Sequence, residues 1–528
     1  MVIRKIKIVF ILFALLLAEN GCTPQTSTPT SAPARPTGTS LPVQTSAPIA
    51  TSQPTATIPP TATVQPTATN VPFPRLSLAK GDNYFSIDNT PSFLYGRNVT
   101  GITADDFDSM LKMAHSGGTK ILRIHVTFGW WSTPWMRGDG SVNPDWLTTW
   151  DQFFDQAQAD GMYVMPVFGV WAEWNSGKPD LGSSLWQYNP LNTANGGNFS
   201  DPTQLFVPDS KLQKAWMDWL SQLVQHWQAR DNIAGWEIFS EVNIATGVAG
   251  DTNSSGGVSE PAGAAFVNRA AAVIRQADPA GRPITASVAG IYAANDPWNN
   301  FYDLPALDFI EIHPYTESLD YELITEIGKD LARYKKPVMI GESGLSAYLT
   351  ANNIPSGADL ALRHAMWAGL VSGAMNGRLL WSEDGYAVYW DANDRTKSFA
   401  YMQRFINLER PAVEFVKGVD FTGYQPLAVH FSGAPKVWGA AVGSEKSAIA
   451  WFRDAYCIPP NWPLAGVISG QTVLISVPGK AANWQVDFYA TSNGTDVLQS
   501  ITVTRQGNAI RVPLPDFKDD IAMKLVAK

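Results

Sequence analysis

The stretch Gly235-Trp-Glu-Ile-Phe-Ser-Glu-Val-Asn243 decides how this chain is read. Ile233 to Phe239 is a short apolar run of strand character, and it delivers Glu241 just past its C-terminal end. A second run, Val338-Met-Ile-Gly-Glu-Ser-Gly344, delivers Glu342 in the same way. One glutamate at a strand end is ordinarily a solvated residue. Two of them, each closing a run that reads as buried, call for a fold that gathers strand ends in one place.

The surrounding sequence supplies such a fold. Phe93 to Val99, Ile121 to Val126 and Tyr163 to Phe168 read as strands before the quoted one. Pro283 to Ser287, Leu307 to Ile312, Val338 to Gly341 and Arg378 to Trp381 follow it. Helical patterns separate them. Thr103 caps a helix through His115, with Asp105 and Asp106 in its first turn, where acidic groups favour the helix dipole. Asn143-Pro144 opens another, and Gly161 ends it. Leu212, Ala215, Trp216, Trp219, Leu220, Leu223, Val224 and Trp227 fall at helical spacing and form a core-facing stripe. Further helices are expected over Ala262 to Ala277, Asp320 to Arg333, Asp359 to Met375 and Lys397 to Leu408. Strands alternating with helices over residues 73–408 predict an α/β fold, a (β/α)8 TIM barrel, in which chemistry sits at the C-terminal strand ends. A short strand pair, Tyr84 to Ser86 and Ser92 to Tyr95, is expected at the entrance.

Beyond residue 409 helical spacing disappears. Ser447 to Phe452, Thr472 to Val477, Trp484 to Tyr489, Ser500 to Thr504 and Ala509 to Pro513 alternate with a period of two, separated by turns such as Ser492-Asn-Gly494. Residues 409–528 therefore predict a small C-terminal antiparallel β-sandwich domain.

The N-terminus has a different character. Arg4, Lys5 and Lys7 precede an apolar run from Ile8 to Ala18, too short for a comfortable membrane span, so residues 1–22 read as a signal peptide. Gly21-Cys22 follows, and Cys22 is similar to the lipid-modified first residue of mature bacterial lipoproteins, although Glu19 stands where that motif carries Leu. Ordinary cleavage and an uncleaved anchor are the alternatives. Residues 23–72 are almost entirely Thr, Pro, Ser, Ala and Gln, a composition that cannot bury a core and stays extended as a linker. The expected location is extracellular, tethered to the bacterial surface, with membrane contact only through that anchor or signal segment.

The 528 residues carry a net charge of -9, which excludes the basic footprint of a nucleic-acid partner. Two cysteines in different segments imply neither a disulfide framework nor a metal cluster, and no cofactor is implied. Twenty Trp residues suit a sugar-binding protein, since aromatic faces hold pyranose rings, though most of them are expected in the core. Trp130, Trp131, Trp135, Trp171, Trp174 and Trp186 fall in the loops after the second and third strands, and two or three of them, Trp171 among these, are expected to line a cleft. The oligomeric state is left open, a monomer being the simpler reading.

Residues from about 75 to 408 resemble a clan A retaining glycoside hydrolase, nearest to glycoside hydrolase family 5 and its cellulase- and β-mannanase-like relatives. Leu514-Pro-Asp-Phe-Lys-Asp-Asp-Ile-Ala522 resembles part of the β-domain often fused to such barrels. The resemblance implies Glu241 as acid/base and Glu342 as nucleophile, a pair that retaining chemistry requires. It also implies Tyr315 and His313, in Glu311-Ile-His-Pro-Tyr315, lining the site. Arg123, in Leu122-Arg-Ile-His125, would hold the nucleophile, and Trp381 would floor the sugar subsite. His125 reads equally as a site residue or a core histidine. Glu237 shares the strand parity of Glu241 but lies deeper, and reads as a structural carboxylate. The family pattern Asn-Glu-Pro, whose Asn bonds the sugar 2-hydroxyl, is here Ser240-Glu-Val242 with Asn243 one step on; the shorter Ser240 would reach that hydroxyl through a water, and Ser240 and Asn243 are both expected to support the site. The expectation is a β-glycan hydrolase of the β-mannan or β-glucan type. A non-catalytic carbohydrate-binding protein on this scaffold and an exo-acting β-glycosidase are the competing readings.

Overall fold

A computed structural model of the chain describes residues 73–78, 81–100, 102, 104–127, 133–176, 185–246, 257–290, 297–345, 358–377, 395–431, 436–458 and 466–528. Cys22, the 23–72 linker, Thr103, Trp130, Trp131, Trp381 and the strand expected over Arg378 to Trp381 lie outside the described residues. Residues from Phe73 to Lys528 belong to one compact unit.

Among the described residues, Gly96–Val99 (β1), Ile121–His125 (β2), Tyr163–Val167 (β3), Trp236–Glu237 (β4) and Ile284–Thr285 (β5) form one parallel sheet in that order. Ile310–Ile312 (β6) pairs in parallel with Val338–Ile340 (β7). Backbone bonds join the pieces into a ring. Asp308 N donates to Ile284 O at 2.9 Å, Met375 N to Val338 O at 2.8 Å, and Gly377 N to Leu94 O at 2.6 Å. The segment Met375 to Gly377 thus lies between β7 and the start of the first strand, where a parallel bridge pairs Leu94 with Asn376. Asn376 fastens this seam, accepting from Ile340 N at 3.0 Å. The strands are shorter than their apolar runs, although single backbone bonds continue past them, Ile238 N to Thr285 O at 2.9 Å and Ser240 N to Gly169 O at 2.8 Å.

The helices follow from local chemistry. Asn143 accepts from Asp145 N at 3.1 Å and Pro144 occupies the first turn of Pro144–Ala159. Ser210 caps Lys211–Trp227, accepting from Gln213 N at 3.0 Å, and its Leu/Trp stripe is buried apart from half-buried Ala215. Phe107–Ser116 begins later than expected, after a 3-10 turn at Ala104–Asp106. The last barrel helix was expected to end at Leu408 but spans Arg395–Val416. Pro411 costs one backbone bond inside it, yet Ala412, Val413 and Phe415 are buried beyond it, so packing outweighs the local breaker.

The C-terminal part is antiparallel, as its alternation predicts. Gln425–Leu427 (β8), Val429–Phe431 (β9), Val437–Gly443 (β10), Ser447–Asp454 (β11), Thr472–Ser476 (β12), Asn483–Tyr489 (β13), Val497–Gln506 (β14), Ala509–Pro513 (β15) and Asp520–Ala527 (β16) form, among the described residues, one sheet. Its order is β8-β10-β11-β16-β13-β14-β15-β12-β9. The end strands β8 and β9 are consecutive in the chain, so the sheet curls almost closed around Phe452, Ile475, Trp484, Val486, Phe488 and Ile510.

The outer face of β11 docks on the barrel. Ile449 and Trp451 pack with Trp367, Leu370 and Val371 of the helix Ala358–Val371. Asp520 sits at the centre of this seam. It receives Arg363 Nη2 at 2.6 Å, Thr491 Oγ1 at 2.7 Å and Trp451 Nε1 at 3.0 Å, while Arg453 pairs with Asp320 beside it. Removing one partner from a buried ionic cluster leaves the others desolvated and unpaired. Asp520→Ala is therefore expected to lower unfolding free energy by about 3 kcal/mol. Urea denaturation of the variant beside the parent checks this, and a loss below about 1 kcal/mol would mean that the docking rests on the apolar contacts.

Candidate active site

The site is assembled from strand ends whose parity points inward. Arg123 on β2 is fully buried. Its guanidinium binds Glu237 in two bonds, Nε to Oε2 at 2.6 Å and Nη2 to Oε1 at 2.7 Å. The same group donates Nη1 to Glu342 Oε1 at 2.8 Å and to Asn98 Oδ1 at 3.0 Å, and Nη2 to Ser240 Oγ at 2.9 Å. Such planar fork geometry is why arginine suits a hub of carboxylates. Glu237 thus takes the structural place that its depth in the strand predicts. Burial pushes its carboxyl up to about 8, against the opposing pull of Arg123.

Glu342 follows β7 and is reached from three sides. Arg123 approaches one oxygen, and Tyr315 donates its hydroxyl to the other at 2.8 Å. His313 Nδ1 stands 3.7 Å from Oε2 and His125 Nε2 3.9 Å from Oε1. Burial would raise this carboxyl, but the charges of His313 and Arg123 and the Tyr315 hydroxyl hold it at about 2. His125 is buried beside Glu342 and stays neutral, its pKa carried well below the usual range by burial and by Arg123.

Glu241 is in a different environment. Its backbone is left-handed, with φ 58°, a conformation that costs a non-glycine residue energy and recurs at functional sites. Ser287 Oγ accepts its backbone N–H at 3.1 Å and fixes the turn. Its carboxyl meets His313 Nδ1 at 2.9 Å. Burial raises its pKa, the His313 bond opposes this, and the Glu342 charge adds to the rise. His313 is itself lifted to about 10: burial disfavours its charge, but Glu342 and the bond to Glu241 overcome this. A carboxylate oxygen of Glu241, one of Glu342 and a His313 ring nitrogen all lie within 4.8 Å of one another. Three such atoms could in principle face a cation. Here each is engaged within the protein, by Arg123, Tyr315 and the mutual Glu241–His313 bond, so the set is built as a proton-handling pair of acids.

Two neighbours of Glu241 behave differently from each other. Ser240 Oγ faces the site, 3.5 Å from Glu342 Oε1. Asn243 lies in the 3-10 turn Val242–Ile244, and its Oδ1 accepts Ala289 N at 2.7 Å, so that oxygen holds the loop. Among the described loop tryptophans, Trp171 is half-buried, and its backbone N–H donates to Ser240 O at 3.2 Å beside Glu241. Trp135 packs on Trp219 at 4.5 Å between ring centroids, and Trp174 stacks on Trp186 at 5.7 Å, so these three shape the loops from within.

Four further residues contribute to the site without a sequence motif that marks them. Asn98 donates to Gly341 O at 3.0 Å and accepts from Arg123, and Ser287 anchors Glu241. Glu311 lies below His313 on the same strand face, and Gly341 makes room for it. Only the Glu311-x-His313 parity was a signal available in the sequence.

Glu173, in the loop after β3, is a further buried acid. Thr127 donates to it at 2.6 Å, but burial outweighs that bond and lifts its pKa from 4.5 to about 8. A carboxyl whose folded pKa is raised binds more protons in the folded state, so its contribution falls as pH rises from 4.5 toward 8. Glu173→Gln keeps the acceptor and removes the titration. The variant's melting temperature is expected to gain on the parent's by several degrees across that window. Parallel melting curves at every pH would refute this.

No protein-family model matches the chain, and no curated protein sequence matches it either. Solved structures do. One described as a glycoside hydrolase matches with a TM-score of 0.56 at 13% identity, covering 86% of this chain and 97% of its own. A glycoside hydrolase family 5 structure from Bacteroides vulgatus matches with a TM-score of 0.55 at 13% identity, covering 86% and 94%. At such identity the likeness is one of fold: a (β/α)8 barrel followed by an antiparallel β-domain.

Proposed function

We propose that this protein is a retaining glycoside hydrolase of β-linked glycans, of the β-mannan or β-glucan type, acting by double displacement. One observation carries the reading: Glu241 and Glu342 offer oxygens within 4.8 Å of each other while their surroundings drive their proton affinities apart. Retaining enzymes place the two carboxyl groups ~5–5.5 Å apart, whereas inverting enzymes leave ~6.5–9.5 Å for a water. Environments that push two carboxyls in opposite directions assign the acid and the nucleophile.

In the first step Glu342, ionised, attacks the anomeric carbon as Glu241 gives its proton to the departing glycosidic oxygen. In the second, Glu241 takes a proton from water, which displaces Glu342 from the sugar with net retention. Arg123 and Tyr315 keep Glu342 ionised and aimed. His313 holds Glu241 in place. Ser240 Oγ, beside Glu342, is the group that a 2-hydroxyl would meet, and Trp171 with Trp381 would stack on sugar faces. No residue in this scheme calls for a cofactor or a metal.

The test is product release from glucomannan, galactomannan, mixed-linkage glucan, xylan, xyloglucan and carboxymethyl cellulose, comparing residues 73–528 with the same chain carrying Glu342→Ala. Release by the parent alone supports the reading and names the substrate. Binding without release by either protein would favour a carbohydrate-binding role. Export and surface tethering through Cys22 form a separate part of the proposal. Palmitate-analogue labelling that disappears in Cys22→Ser supports it, and equal labelling of both would remove Cys22 from it.

A further inference from the structure

Glu311 is fully buried, and the displacement scheme gives it no task. It stands beside Arg123, whose guanidinium Glu237 also engages through two bonds. Yet the fold makes space for this side chain. A Cβ on Gly341 would lie 1.9 Å from Glu311 Oε1, so only glycine at 341 admits the carboxyl where it sits. The Tyr302 hydroxyl binds the Glu311 carbonyl and fixes the strand from behind. Glu311 Oε1 lies 2.7 Å from Arg123 Nε and 3.6 Å from His313 Nε2. The other nitrogen of that ring, Nδ1, meets Glu241 at 2.9 Å. One imidazole therefore stands between a deep carboxyl, at ion-pair rather than hydrogen-bond distance, and the carboxyl that it hydrogen-bonds and that is read as the proton donor.

We propose that Glu311 is a positioning residue that acts through His313, keeping the ring charged and directed at Glu241. The inference rests on reading Glu241 as the acid. Its physical basis is that burial disfavours a charged imidazolium, so nearby negative charge must make up for the lost water. The groups facing His313 are Glu241 and Glu237 from β4 and its end, Glu342 beyond β7, Arg123 and His125 from β2, and Glu311 on its own strand. Arg123 and His125 do not stabilise its charge. Glu342 and Glu241 do, at the Nδ1 side, and Glu311 does so at Nε2. Since Glu241 and His313 share a hydrogen bond, they release protons as a coupled set, and loss of the Glu311 charge should weaken proton binding by that set.

The test uses the protein with 15N-labelled histidine rings, the His313 signal being assigned by its loss in His313→Gln. In Glu311→Gln the ring is expected to deprotonate at a pH lower by about one unit or more. The alkaline limb of kcat/KM should move down with it, while KM changes little. Glu237→Gln, which loosens Arg123 without withdrawing a partner from Nε2, should shift the ring far less. Equal shifts in the two variants, or none in Glu311→Gln, would overturn the proposal. If Glu311→Gln fails to fold, Glu311→Asp keeps the charge near Arg123 while drawing it back from the ring. The same downward shift supports the proposal and an unchanged ring overturns it. The ring titration is independent of turnover, so an inactive parent would sink the hydrolase reading without obscuring this result.

Discussion

Glu342→Ala is expected to reduce turnover of the parent's substrate by about 10⁴-fold or more. The residue is the nucleophile in the proposed scheme, and nothing near it can replace its attack. Arg123 and Tyr315 would remain, aimed at an empty position. Azide should partly restore reaction on a β-glycoside with a good leaving group, since the deleted carboxylate leaves room for a small anion. The product should be the α-glycosyl azide, because azide then attacks from the side that Glu342 vacated. Isolation of the β-azide would reverse the assignment of the two glutamates. The substitution also tests the electrostatics. Glu342, held at about 2 from a usual 4.5, contributes stability that is present above pH 4.5 and is lost as pH falls toward 2. The alanine variant should lack that acid-side loss, and thermal melting from neutral to acid pH reads it directly.

Glu241→Ala should divide substrates by their leaving groups. Natural glycans leave as poor alkoxides and need a proton in flight, so kcat/KM on polysaccharide should fall by about 10²–10⁴-fold. Aryl glycosides with acidic phenols need little protonation, and their first step should be nearly unaffected. Their second step should slow, since no base remains to activate water, so an initial burst of phenol is expected. Azide should accelerate that step and give the β-azide, the opposite anomer from the Glu342 variant. Equal loss on both substrate classes, without a burst, would remove Glu241 from the acid/base role. In the parent, the alkaline limb of activity should report loss of the proton shared by Glu241 and His313, because burial and the Glu342 charge raise the first and anionic neighbours raise the second.

Much of this architecture was legible because it is written in short-range pattern. The period of the Leu212 to Trp227 stripe gave a helix whose inner face is buried in the structure. The apolar runs before Glu241, His313 and Glu342 gave strands, and depth along the strand separated Glu237 from terminal Glu241, which shares its parity. Signals of the same kind misled where packing overrides them. Leu408 looked like the end of a helix because helical spacing fades beyond it, yet the helix continues to Val416 under the apolar contacts of Phe415. Sequence could not say which of the six loop tryptophans pack the loops, and the structure puts Trp174 and Trp186 there, stacked on each other below the surface.

The sequence by itself determined the alternation of strand and helix, the change to an antiparallel domain, and the two glutamates at strand ends. These follow from periods of two and 3.6 residues and from turn chemistry, which are local. Only the tertiary structure decided which side chains meet. The register of β2, β4, β6 and β7 around the ring brings Arg123 to Glu237 and Glu342 together, sets His313 between Glu311 and Glu241, and places Gly341 under the Glu311 carboxyl. Proton affinities are set by those distances and by burial. They fall steeply with separation and involve residues more than a hundred positions apart, so no local pattern encodes them.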